Sequence, residues 1–213
     1  MPLTDQQVME QIQSLLLEPR DLGATWPSGL WTQAEVLARM NERSNRFLKA
    51  TQLLVGTATL PVLQGVSRLA LPQDWLLTAS VVWRGSDGVV KEVPRGDAFE
   101  ADHGMATWTT STSRWPLLYL DYDQPMLEIQ LAPAPAVAGN IDLLYVPMGA
   151  PLDGTGELIG VPDEFAAAAI KFGALADLLG KDARARRPEQ AGYCEMRYQL
   201  GQAVADLLLH SWT

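Results

Sequence analysis

Apolar residues return every three or four positions at both ends of the chain and every second position through its middle. Near the start, Val8, Ile12, Leu15 and Leu16 make one stripe of a helix. Leu3-Thr4-Asp5-Gln6-Gln7 opens it: Thr4 is placed to cap, Gln7 to complete the capping box, and Leu3 to staple onto Val8. Pro19 stops the helix near Glu18, because proline has no N–H to donate and crowds the preceding turn. Asp21–Leu30 is a turn-rich connection. The device then repeats: Trp31 staples onto Val36, Thr32 caps, and Glu35 closes the box. This second helix runs to about Ala50 with Val36, Leu37, Met40, Phe47 and Leu48 as its apolar positions. Asn41, Ser44 and Asn45 lie in or beside that stripe and read as hydrogen-bonding side chains between packed elements.

From Thr51 the period shortens to two and Gly, Pro and Asp punctuate the runs, which is the signature of strands. The strands predicted are Thr57–Leu60, Arg68–Leu71, Leu77–Arg84, Val89–Val93, Pro116–Asp121, Met126–Leu131 and Ile141–Val146. Ser86-Asp87-Gly88 makes a tight hairpin turn between the third and fourth. Between the fourth and fifth, Gly96–Trp115 breaks the pattern. It reads as a short helix near Asp97–Ala101 followed by a polar loop that protrudes.

Helical spacing resumes in Leu158–Leu209 as two helices folded back on each other. The first opens on Val161-Pro162-Asp163-Glu164, with proline at the first helical position and acids at the positive end of the helix dipole. Its stripe is Phe165, Ala169, Phe172, Ala176 and Leu179, and Gly180 is placed to end it in a left-handed conformation. The basic connection Lys181–Arg187 leads to Pro188 and a second stripe: Tyr193, Met196, Leu200, Val204 and Leu207. The expected fold class is therefore α+β: a helical bundle of two N-terminal and two C-terminal helices with an inserted antiparallel β segment. The expected domains are residues 1–56 with 158–213, helical, and 57–157, β-rich.

Composition narrows the function. The 213 residues are 47% apolar and 19% charged, which suits a globular chain. No apolar run is long enough to span a bilayer, and MPLTDQQVMEQ lacks the basic flank and apolar core of a signal peptide. The single cysteine, Cys194, can form no disulfide within the chain and reads as a buried, inert thiol, in keeping with a reducing cytosol. The formal charge of −9 is concentrated: residues 61–160 hold five basic and twelve acidic side chains. That sign opposes a grip on nucleic acid, whose phosphates call for Lys and Arg.

Catalytic groups are sparse. Asp102, His103 and Ser111 or Ser113 suggest a hydrolase triad, yet no glycine-flanked nucleophile turn surrounds either serine. Asp121 and Asp123 offer two carboxylates on one strand face, with Glu128 a possible third ligand, but a hard cation takes six or more oxygens and no calcium-loop spacing is present. With two histidines and one cysteine, no zinc spacing exists. No cofactor and no metal are expected. The end of the chain, Leu207, Leu208, Leu209, His210 and Trp212, reads as an apolar anchor for a partner.

Four motifs in order resemble the head-to-tail adaptor, or connector, proteins of tailed bacteriophages, of the short-tailed-phage type. They are Gly29-Leu30-Trp31-Thr32-Gln33-Ala34-Glu35 with Asn41; Leu71-Pro72-Gln73-Asp74-Trp75; Leu131-Ala132-Pro133-Ala134-Pro135 followed by Leu144-Tyr145-Val146-Pro147; and Val161-Pro162-Asp163-Glu164-Phe165. The long Gly96–Trp115 stretch and the alanine-rich third helix depart from the pattern. The resemblance implies a structural virion protein at the neck. Such adaptors form a dodecameric ring beneath the portal, extend the DNA channel and give the tail nozzle or stopper its dock. Double-stranded DNA would pass without sequence-specific binding, and no membrane would be involved. On that reading Leu207, Leu208, Leu209, His210 and Trp212 face the portal. Ala166, Ala169, Gly173, Lys181, Arg184, Arg186 and Arg187 lie between subunits, and Asp97, Glu100, Asp102 and Trp108 face the channel or tail. A tail-completion or nozzle protein is the alternative, and a hydrolase using Asp102, His103 and Ser111 a more distant one.

Overall fold

A computed structural model describes residues 3–16, 30–105, 107–123, 126–155, 166–181 and 186–210. The helices are α1 (Asp5–Leu15), α2 (Gln33–Thr51), α3 (Ala98–Gly104), α4 (Ala166–Gly180) and α5 (Pro188–His210). The strands are β1 (Gly56–Val62), β2 (Arg68–Ala70), β3 (Trp75–Gly85), β4 (Val90–Glu92), β5 (Thr112–Ser113), β6 (Leu118–Tyr122), β7 (Glu128–Ala132), β8 (Ala134–Pro135) and β9 (Gly139–Pro147). The fold class is α+β. Pro19, Pro162, Asp163, Glu164, Phe165, Arg184 and Trp212, which carry parts of the sequence reading, lie outside the described residues. The chain divides into two compact units, residues 1–54 with 149–213, and 55–148.

In the helical unit, the start of α1 follows its sequence. Thr4 Oγ1 accepts the Gln7 N–H at 3.2 Å, and Gln7 Oε1 accepts the Thr4 N–H at 3.0 Å. Two orphan donors of the first turn are thereby satisfied. Val8, Ile12 and Leu16 are buried, whereas Leu15, expected in the same stripe, is exposed. It lies a quarter turn off the line through the other three. At α2, Thr32 Oγ1 caps the Glu35 N–H at 3.2 Å. The Glu35 carboxylate does not close a capping box there; it takes the Lys181 ammonium at 2.7 Å instead. An ion pair across elements has displaced a local hydrogen bond.

The polar residues of α2 hold an irregular segment in place. The Asn41 amide donates to the Leu152 carbonyl and accepts its N–H, both at 2.8 Å, and Asn45 accepts from the Gly149 N–H at 3.3 Å. From α1 the buried Asp5 accepts the Asp153 and Gly154 N–H groups at 3.1 and 2.7 Å. Residues 149–154 have no strand partner for these backbone groups, so side chains supply one. Gly180 ends α4 without a left-handed backbone, against expectation. The start of α5 takes over the capping role: the Arg187 N–H donates to the Leu179 carbonyl at 2.9 Å.

The β unit holds a four-stranded antiparallel sheet, β1-β9-β3-β4, and a three-stranded one, β2-β7-β6. Alternation sends Val81 and Trp83 of β3, Ile129 and Leu131 of β7, and Ile141 and Leu143 of β9 into one core. The predicted hairpin turn is present: the Gly85 N–H bonds Val89 O at 2.8 Å, and Gly88 takes φ +81°. Gly139 faces the Arg84 carbonyl and the Trp83 ring so closely that a Cβ would overlap both. Gly96–Trp115 departs from the sequence reading. Its helix, α3, ends three residues later than expected, and Ala101 and Trp108 pack with Leu118, Leu120 and Ala132 into a second small core. The segment is therefore held down by its own apolar residues. Its end, β5, pairs in parallel with β8, a pairing that two-residue strands do not announce in sequence.

Candidate functional site

The helical unit is built around α4, the most apolar of its helices. Ala169, Ile170, Ala174, Leu175, Leu178 and Leu179 are all buried, so α4 is enclosed on nearly every side. Gly173 is where Tyr198 and Arg43 come closest, and a Cβ there would sit 2.8 Å from the tyrosine ring. Ala169 and Gly173, expected between subunits, are thus taken up inside their own unit. They let α5 and α2 approach α4. Ala166 is the first residue of α4.

Arg43 of α2 ties these helices together. Its guanidinium forks onto Asp177 of α4, reaches Glu195 of α5 at 2.9 Å and lies 4.8 Å from the centroid of the Tyr198 ring. The Asp177 hydrogen bond raises its pKa above an already high value, despite burial. Nothing in the periodicity reading singled this residue out. The signal was there: Val36, Met40, Arg43 and Phe47 follow one helical stripe, and a cation inside a stripe needs a buried acid.

α5 buries Cys194, Tyr198 and Ala205. Burial raises the Cys194 thiol above its usual range, which suits an inert sulfhydryl. The apolar stripe read from the sequence, Tyr193, Met196, Leu200 and Leu207, is on the outside: Met196 and Leu200 are each 57% exposed and Leu207 70%. Val204 is half-buried. Both faces of α5 are apolar, and packing against α4 has selected the one with smaller side chains. Leu208 is exposed as well, and Leu209 is half-buried. His210 is the last residue of α5.

A second apolar surface lies at the other end of α5. Leu15, Phe172, Leu175, Leu179 and Tyr193 line a groove of about 390 Å³. Arg187 is at its edge, and Arg197 lies 4.8 Å over the Phe172 ring. Burial, and then the charge of Arg197, lower the pKa of the neighbouring Lys171. Arg186 and Arg187 are exposed, and Lys181 is paired with Glu35.

In the β unit, Asp87, Asp121, Glu128 and Asp142 each meet an arginine. Among the described residues Glu92, Asp97, Glu100 and Asp102 meet no cation, and neither does Asp74, which accepts the Tyr145 hydroxyl at 3.1 Å. Four of these five acids lie on or just before α3. Asp97 caps α3 through the Glu100 N–H at 2.7 Å. Asp102 accepts the Trp108 indole N–H at 2.8 Å, and Trp108, expected on a protruding loop, is only 7% exposed. Phe99 faces outward at 70% exposure, with its ring against His103. Among the described residues no hydrogen bond joins the side chains of Asp102, His103 and Ser111: Asp102 is engaged by Trp108, and His103 Nδ1 is 2.9 Å from the Phe99 carbonyl oxygen. Asp121 bonds Arg95 in place of a cation, and no cluster of metal-ligating side chains occurs among the described residues. No helix among them is long and apolar enough to cross a membrane.

No curated protein matches the chain. Over residues 6–210, nearly its whole length and both units, the sequence matches the model of the SU10 adaptor protein family. The chain therefore belongs to the SU10 adaptor family, a family of bacteriophage head-to-tail adaptors of the short-tailed-phage type, and is a structural protein of the virion.

Proposed function

We propose that this adaptor assembles as a ring of twelve copies beneath the portal, at the neck of the virion. There it extends the DNA channel and presents a dock for the tail nozzle or stopper. The observation that carries the reading is the outer face of α5. Met196, Leu200 and Leu207 lie along one side of a single helix and are 57%, 57% and 70% exposed. A line of that kind on a soluble chain marks a binding face. It runs to the end of α5, toward the terminal residues assigned to the portal in the sequence reading. The excess of acidic over basic side chains in residues 61–160 supports a channel wall that repels DNA phosphates during passage.

Truncation after Ala205 tests the portal contact. It removes Leu207 and Leu208, which are exposed, and leaves the buried Cys194, Tyr198 and Ala205 in place. The truncated chain is expected to keep the melting temperature of the full chain and to lose at least tenfold in affinity for assembled portal rings. Unchanged portal binding would refute the assignment of this end to the portal. A tail-completion or nozzle protein would instead show sixfold stoichiometry.

A further inference from the structure

We infer that α3 of one copy docks in the cationic apolar groove of the helical unit of the next, and that this contact joins neighbouring subunits of the ring. The inference rests on the ring reading and names the surfaces that build it. On one side is the groove of about 390 Å³ lined by Leu15, Phe172, Leu175, Leu179 and Tyr193. Leu15 is 54% exposed there, an apolar side chain left facing water.

The groove is set among positive charges that the helical unit does not neutralise. Among the described residues, Arg187 reaches the Gln190 side chain at 3.5 Å, and Arg197 reaches aromatic rings and the Tyr193 hydroxyl. Neither guanidinium meets a carboxylate there. Lys171 donates to Gln11 at 3.0 Å and also meets none. Three cations close to one apolar groove, on a chain of net charge −9, call for an acidic partner with an apolar anchor.

The same chain carries such a partner. Phe99, one of its most exposed large apolar residues, projects from α3. Asp97, Glu100 and Asp102 share that helix or its cap, and Glu92 precedes it, all without cationic partners. An exposed aromatic ring framed by carboxylates is complementary in shape and charge to an apolar groove framed by guanidinium and ammonium groups. The two patches are different surfaces of one chain, so the contact made head to tail, each copy offering α3 to one neighbour and its groove to another, is heterologous. Repeated from copy to copy, a heterologous contact closes into a ring when its rotation allows.

Cross-linking in the full chain tests this. Phe99→Cys chains are mixed with Leu15→Cys chains, both in a Cys194→Ser background, because Cys194 also lines the groove. The mixture is oxidised under conditions where the wild-type chain assembles, alone or on portal rings. A covalent dimer containing one chain of each kind is expected, and neither variant alone should give it. Phe99→Ala and Arg187→Glu, checked for unchanged thermal melting, should each weaken subunit association at least tenfold by native mass spectrometry. Glu100→Lys should partly rescue Arg187→Glu. A wild-type ring that forms without the cross-link would overturn the inference and leave the adaptor reading standing. A cross-link only within one chain carrying both cysteines would make the contact internal and overturn it too. Failure of the wild-type chain to assemble, even on portal rings, would overturn both readings.

Discussion

Arg43 shows how much of the helical unit depends on one side chain. It is almost fully buried, and its guanidinium is shared between Asp177 of α4 and Glu195 of α5. Removing it leaves two acids without their cation. Arg43→Met is expected to cost about 3 kcal/mol in urea unfolding, the scale for breaking a buried ion pair from one side. Adding Asp177→Leu should return part of that loss, since it removes one stranded charge. Tyr119 is the corresponding residue of the β unit for pH. Burial, and then the Asp121 carboxylate, push its hydroxyl up to about 12, so the folded state favours the neutral form. Its contribution is complete below the ordinary tyrosine value of 10.0 and is lost as pH rises from there through about 12. The span corresponds to about 2–3 kcal/mol. Denaturant titrations at pH 9 and pH 12 should show a smaller difference for Tyr119→Phe than for the wild-type chain. The acid side has the opposite sign. Asp142 is held low by Arg84, and Asp87 by Arg114, so their contributions are present above the usual carboxylate range and are lost below it.

At the scale of elements, α5 presents the clearest choice. One face is buried through Cys194, Tyr198 and Ala205, and the other is open through Met196 and Leu200. Leu200→Ser should therefore move the melting free energy by no more than about 0.5 kcal/mol. Tyr198→Ala should cost about 3 kcal/mol or more, since it empties space beside Gly173 and Arg43. Equal costs at the two positions would mean the wrong face has been taken as buried. This choice was not legible in the sequence, because periodicity finds an apolar stripe but cannot rank two stripes on one helix. The α1 capping box and the β3–β4 hairpin were legible, because a few neighbouring residues determine each. The seven strands expected from alternation all formed, with ends shifted by up to two residues. What depends on distant partners was not legible: Glu35 turning to Lys181, Trp108 entering a core with Leu118, and the parallel pairing of β5 with β8.

At the scale of the whole molecule, the two units carry unlike surfaces. The β unit has its uncompensated carboxylates on and before α3, and the helical unit has unpaired cations around an apolar groove and an apolar line along α5. A chain with these features suits work done through contact. The family match explains why order along the chain was readable when chemistry was not. Short motifs such as Leu71-Pro72 and the strand-pair prolines mark where elements begin and turn, and those positions are constrained by the backbone. Surface contacts with other proteins leave no such local mark. Their residues became visible only as exposure: Phe99, Leu200 and Leu207 against water.

The central claim is that this adaptor forms a twelve-membered ring between portal and tail. Cryo-electron microscopy of intact particles, with the neck reconstructed without imposed symmetry, tests it most directly. The expected result is a twelvefold ring of this chain directly beneath the portal, with the ends of its α5 helices against portal density. A sixfold ring, or density for this chain only at the far end of the tail, would contradict the account.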